Sequence, residues 1–132
     1  MDAHTKQHLL LVVDDDDGMR DTLLDILEER GYRVGVAGDG VEALDAMRRE
    51  TYDLVLMDIV MPRMNGVEAL KELRMIDDHI AVIMMTAYAM QDLIEEAWRE
   101  GVYDVVYKPL DVAEILRLVD EATRGGNGAS CG

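Results

Sequence analysis

Five segments of strand length, each followed by a run with helical spacing, constrain this 132-residue chain more than any other feature. Each strand-plus-helix unit is about two dozen residues long, the rhythm of an α/β domain with a parallel sheet. Four of the five strands end in a polar group. Leu9 to Val13 runs into Asp14-Asp15, and Leu54 to Met57 runs into Asp58. Ile80 to Met85 runs into Thr86, and the run holding Val105, Val106 and Tyr107 ends at Lys108-Pro109. Parallel strands deliver their C-terminal ends to one edge, where ligands of open α/β sheets bind. Three acids, a hydroxyl and an ammonium on that edge suit a metal ion and a phosphoryl group.

Strand order follows from the type of apolar pattern. The first, third and fourth strands are continuously apolar, as strands buried on both faces are. The second, Tyr32 to Ala37, alternates large apolar with polar or small residues, and the fifth carries Asp104. Those two belong at the edges. A five-stranded parallel sheet ordered 2-1-3-4-5 results, the flavodoxin-like (βα)5 three-layer sandwich. Its topological switch point falls between strands one and three, where Asp14, Asp15 and Asp58 lie.

Helix boundaries are legible too. Asp39 with Glu42, Asn65 with Glu68, and Asp111 with Glu114 have capping-box spacing, and each precedes an amphipathic run. Gly31 and Gly101 stop the first and fourth helices, the fourth spanning Met90 to Glu100. The spacing divides the chain into a polar N-terminal extension (1–8), one domain (9–124) and a flexible Gly-rich tail (125–132). Trp98 borders the apolar stripe of the fourth helix, one turn from Ile94. Its place suits either a partly buried core position or a partner surface.

Composition excludes several classes. Apolar residues make up 49%, enough for a packed core, and 13 basic against 28 acidic side chains leave a net charge of −15. Such a surface repels nucleic-acid phosphates and anionic membranes, so direct binding to either is not expected. No apolar run approaches the ~20 residues of a membrane span. The single Cys131 cannot form an internal disulfide, which fits a reducing, cytoplasmic setting. His4, His8 and His79 lack metal-ligand spacing.

With these residues in view, the chain resembles the receiver domains of two-component response regulators. The matching segments are Leu-Leu-Val-Val-Asp-Asp (10–15), Leu-Met-Asp-Ile-Val-Met-Pro-Arg-Met-Asn-Gly (56–66), Met-Thr-Ala (85–87) and Tyr-Lys-Pro (107–109). The resemblance implies that Asp58 is the phosphoacceptor, its carboxylate becoming an acyl phosphate. It implies Mg²⁺ (with Mn²⁺ as an alternative ion) held by Asp14, Asp15, Asp58 and the backbone carbonyl of Val60. Thr86 and Lys108 would contact the phosphoryl group, and the Lys108-Pro109 bond would be cis. The implied donor is a histidine kinase or a histidine phosphotransfer protein. The implied output is a domain or partner engaging the face of the fourth helix, fifth strand and fifth helix, where receivers also form homodimers. Such a protein is a switch that catalyses only its own phosphorylation and dephosphorylation.

Charge reasoning supports the set independently. Three carboxylates and one ammonium leave −2 in one cleft, and like charges ~4 Å apart repel by roughly 4 kcal/mol at a surface-like dielectric. A divalent cation with oxygen ligands cancels that excess. Taken singly, Asp14 to Asp17 would read as a solvated acidic helix start, Thr86 as a strand-end hydroxyl and Lys108 as a surface charge.

Two departures from the family pattern stand out. Val105 occupies the position where many receivers carry a switching aromatic, and a β-branched valine is too stiff and small for that role. Val60 and Tyr88, two residues beyond Asp58 and Thr86, bring no carboxylate or amide to orient water, so slow hydrolysis of the acyl phosphate is expected. Two other classes compete. A Mg²⁺-dependent aspartyl-phosphate phosphatase of the haloacid-dehalogenase type normally has a second Asp where Val60 stands. A flavodoxin-like FMN carrier wants a Ser/Thr/Gly phosphate loop where Asp14 to Asp17 lie.

Overall fold

A computed structural model describes residues 7–87 and 90–128, with backbone only for 125–128. In chain order the elements are β1 (Leu9–Val13), α1 (Asp17–Glu29), β2 (Arg33–Ala37), α2 (Gly40–Arg49) and β3 (Leu54–Asp58). They continue as α3 (Gly66–Ile76), β4 (Ala81–Thr86), α4 (Gln91–Arg99), β5 (Asp104–Tyr107) and α5 (Val112–Gly128). All strand pairs are parallel, in the order β2-β1-β3-β4-β5. The edges are the two strands whose patterns lack a continuous apolar run.

Alternation along the central strands builds two cores. Leu11, Val13, Val55, Met57, Val82, Met84 and Val105 face one side, where Ala43 and Leu44 of α2, Leu70 and Leu73 of α3, and Ile94 and Ala97 of α4 cover them. Leu10, Val12, Leu54, Leu56, Ile83, Met85 and Val106 face the other, under Leu23 and Leu27 of α1 and Ile115, Leu118 and Val119 of α5. Right-handed crossovers require this division of helices between faces.

The caps behave as their chemistry dictates. Asn65 and Glu68 form a full reciprocal box, Asn65 Oδ1 accepting from the Glu68 amide and Glu68 Oε1 from the Asn65 amide, each at 2.9 Å. At α2 the Asp39 carboxylate accepts from the Glu42 amide, but Glu42 reaches back to Gly38 rather than to Asp39. Gly31 and Gly101 carry the positive φ of helix stops.

α5 runs four residues beyond Arg124, so the helix takes in part of the segment read as a flexible tail. The extension adds hydrogen bonds to a helix already nucleated, against the roughly 1 kcal/mol that each Gly costs relative to Ala. The expectations for His4, Tyr88 and Cys131 lie outside the described residues. Among the described residues no helix is long and apolar enough to cross a membrane.

Candidate functional site

The acidic run after β1 divides its labour within four residues. Asp14 is fully buried, whereas Asp15, Asp16 and Asp17 are exposed. The Asp14 amide extends the sheet ladder by donating to the Ala37 carbonyl (3.1 Å), and its Oδ1 accepts from the Asp16 amide (2.9 Å). Asp16 caps α1, its Oδ1 accepting from the Met19 amide, and Asp17 sits in the first turn, favourable for the helix dipole.

β3 brings Asp58 to the neighbouring strand end. It too is buried, with 7% of its surface exposed, and its Oδ1 accepts from the Val60 amide at 2.9 Å. The chain then turns sharply, the Gly66 amide donating to the Ile59 carbonyl at 2.8 Å. A Cβ on Gly66 would lie 2.8 Å from both the Asp58 carbonyl oxygen and Ile59 Cα, so only glycine fits this crossing. The turn is also tied to α2, because the Arg63 guanidinium pairs with the Asp39 carboxylate. These contacts hold Asp39 below the usual carboxylate range, the Glu42 amide contributing most and Arg63 adding to it.

Lys108 reaches in from the end of β5, and the sheet alone brings it to Asp58, 50 residues earlier in the sequence. Its Nζ lies 2.7 Å from Asp58 Oδ2 and 3.2 Å from Asp14 Oδ2. Carboxylate oxygens of Asp14, Asp15 and Asp58 all fall within 4.8 Å of one another. Burial raises the Asp14 carboxyl above its ordinary value, against the Asp16 amide and Lys108, which pull it down. Burial also disfavours the Lys108 ammonium, but Asp58 and Asp14 outweigh it and raise that group above its ordinary value. Thr86 is buried at the end of β4, and its carbonyl accepts from the Lys108 amide at 2.8 Å. The Lys108-Pro109 peptide is cis. Val60 is 46% exposed, so its side chain faces outward at the rim.

All of the residues singled out by the strand-end pattern therefore meet at one edge. The donor set tests well for Mg²⁺: hard oxygens only, three carboxylates in one constellation, and a local excess of negative charge that one ammonium does not cancel. Val105 is buried in the same core cluster as Ile94, Ala97 and Val102, with no aromatic in its place. On the same flank Trp98, Tyr103 and Tyr107 are 48%, 41% and 54% exposed, which settles Trp98 as outward-facing rather than core. Sequence reasoning missed the Arg63–Asp39 clamp and the approach of Arg20 to the Asp14 carbonyl. Neither carries a local signal, since an arginine in a loop or on a helix reads as a solvated charge.

Residues 10–120 match the response regulator receiver domain family. The chain is 42% identical over 110 residues to sporulation initiation phosphotransferase F of Bacillus subtilis, covering 83% of this chain and 89% of that protein. It is likewise 42% identical over 113 residues to the transcriptional regulatory protein ZraR of Klebsiella oxytoca, covering 86% of this chain but only 26% of that longer protein. A crystal structure of a CheY-like receiver domain protein from Methanospirillum hungatei JF-1 superposes with a TM-score of 0.90 at 28% identity, covering 94% of this chain and 99% of that one. Strand order, the meeting of acids and lysine at the sheet edge, and these likenesses agree: the chain belongs to the response regulator receiver domains of two-component signalling.

Proposed function

We propose that Asp58 accepts a phosphoryl group from a phosphohistidine and that Asp14, Asp15, Asp58 and the Val60 carbonyl hold a Mg²⁺ ion for the reaction. The observation that carries this reading is Lys108 Nζ bridging Asp58 and Asp14 beside a third carboxylate. When bound, the ion neutralises charge on the carboxylates and the transferring group and orients the latter's oxygens. An Asp58 carboxylate oxygen attacks phosphorus in line. The P–N bond to the donor imidazole breaks, its electron pair stays on the ring nitrogen, and an acyl phosphate forms on Asp58. Lys108 keeps Asp58 oriented through the 2.7 Å contact and then follows the new negative charge, while the Thr86 hydroxyl donates to a phosphoryl oxygen.

The receiver unit spans 9–124, and its donor is a histidine kinase or a histidine phosphotransfer protein in the cytoplasm. Output leaves through the α4–β5–α5 face, where the exposed Trp98 and Tyr107 favour contact with a partner, an attached domain or a second copy. The protein acts as a switch and turns over no external substrate beyond its own donor. Val60 in place of a second aspartate argues against a phosphatase, and the acidic turn at 14–17 argues against an FMN phosphate.

Incubation with acetyl phosphate and Mg²⁺ tests the assignment. Intact mass should rise by one phosphoryl group in the wild type, should not rise in Asp58→Ala, and should not rise in EDTA. Equal labelling of Asp58→Ala would remove Asp58 from the reaction.

A further inference from the structure

We propose that Arg20 is a positioning residue for the metal-binding edge of the site, an inference that rests on the magnesium reading above. Arg20 lies in the first turns of α1, its amide donating to the Asp16 carbonyl at 3.0 Å. Its side chain folds back over the β1–α1 turn and is only 21% exposed. There Nη1 donates to the Asp14 carbonyl at 2.9 Å, and Nη2 pairs with the Asp17 carboxylate. The guanidinium rests over Gly38, where even a single added Cβ would stand 3.3 Å from Nη1.

The target of the first contact gives the residue its role. The Asp14 carbonyl belongs to the planar peptide unit that joins Asp14 to Asp15, so holding that oxygen sets the direction in which Asp15 leaves the backbone. Asp14 has further anchors in the Ala37 carbonyl, the Asp16 amide and Lys108. Asp15 has none: among the described residues no hydrogen bond or ion pair holds its exposed carboxylate. Its place within 4.8 Å of the Asp14 and Asp58 oxygens therefore depends on the backbone, which Arg20 holds at the Asp14 carbonyl beside the contact from the Asp16 amide to Asp14 Oδ1. Loss of a partner that orients a metal ligand typically costs roughly 10–100-fold in metal affinity.

A positioning role and a mere charge effect predict opposite signs. Removing a cation beside three carboxylates, by itself, would strengthen attraction for Mg²⁺. Releasing the Asp14–Asp15 peptide would weaken binding, because the ligand set is no longer held in place.

Calorimetric titration of the full chain with Mg²⁺ alone, without a phosphoryl donor, separates the two. Arg20→Ala is expected to raise the Mg²⁺ Kd about tenfold, the lower end of what loss of an orienting partner produces. Arg20→Lys, which keeps the charge and makes one contact but not both, should fall between Ala and wild type. Melting in EDTA accompanies each titration, and the Kd change is expected with the metal-free melting temperatures close to wild type. Unchanged or tighter Mg²⁺ binding by Arg20→Ala overturns the proposal, as does Arg20→Lys equal to wild type; the Lys variant alone decides if the Ala variant does not fold. Failure of the wild type to bind Mg²⁺ would instead refute the metal site itself.

Discussion

Asp14→Asn should stabilise the metal-free protein and at the same time remove most of its response to Mg²⁺. At an effective dielectric of about 20, Lys108 at 3.2 Å attracts the Asp14 carboxylate by about 5 kcal/mol. Asp58, no farther than 4.8 Å away, repels it by about 3.5 kcal/mol or more. Asp15 at a similar distance repels it by about half as much once its exposure to solvent is counted, roughly 2 kcal/mol. Attraction and repulsion thus nearly cancel, and the desolvation of a fully buried carboxylate decides the sign. Its raised pKa, with burial as the foremost cause, points the same way. An Asn side chain removes the charge and keeps an oxygen for the Asp16 amide. A gain of about 1–2 kcal/mol is expected, roughly 3–8 °C in melting temperature for a chain of this size. Mg²⁺ at ten times its Kd should stabilise the wild type by about 1.4 kcal/mol and the variant by much less, so the two melting curves converge as the metal is added. Calorimetric melting in EDTA and across a Mg²⁺ series measures both effects. A metal-free Asp14→Asn protein that melts below wild type, or one that keeps the full Mg²⁺ response, would refute the reasoning.

Other predictions follow from single contacts. Gly66→Ala forces a Cβ to 2.8 Å of backbone atoms that cannot give way cheaply, so a loss of about 1–3 kcal/mol and weaker Mg²⁺ binding are expected in denaturant and metal titrations. Asn65→Ala removes one side of the α3 capping box and should cost about 1 kcal/mol in urea unfolding, with Asn65→Asp close to wild type. Burial works against the charged Asp120 carboxylate, but the Tyr32 hydroxyl and Arg30 outweigh it and hold the group below its ordinary value. A depressed acid contributes stability above the unfolded value near 3.9 and loses it as pH falls through the folded value. The gap between wild type and Asp120→Asn should therefore be full at pH 6–7, about 1–2 kcal/mol, and shrink below about pH 4. With an exposed valine at 60 and no group there to orient water, the acyl phosphate should persist for minutes or longer; loss of label within seconds would contradict this.

Local spacing alone determined much of this protein. Continuous apolar runs marked β1, β3 and β4 as internal, the broken patterns of β2 and β5 marked the edges, and order 2-1-3-4-5 followed from that contrast. Period and capping chemistry are properties of neighbouring residues, so Asn65 with Glu68 announced α3 without help from the rest of the chain. The acids, threonine and lysine could be placed on one edge for the same reason: a parallel sheet brings all its strand ends together.

What remained for the tertiary structure were distinctions between residues of identical type. Four consecutive aspartates look alike in sequence, yet only Asp14 is buried against Lys108, while Asp16 caps a helix and Asp15 stays exposed. Arg63 became a clamp on Asp39 because segments 24 residues apart fold against each other, and Arg20 became a brace on the Asp14 carbonyl because its side chain folds back over the β1–α1 turn rather than into solvent. The glycine at 66 is required by two backbone segments crossing, a contact that no periodicity encodes. Period and caps are set by interactions a few residues apart, whereas desolvation, charge pairing and steric fit depend on which distant atoms come to surround a side chain.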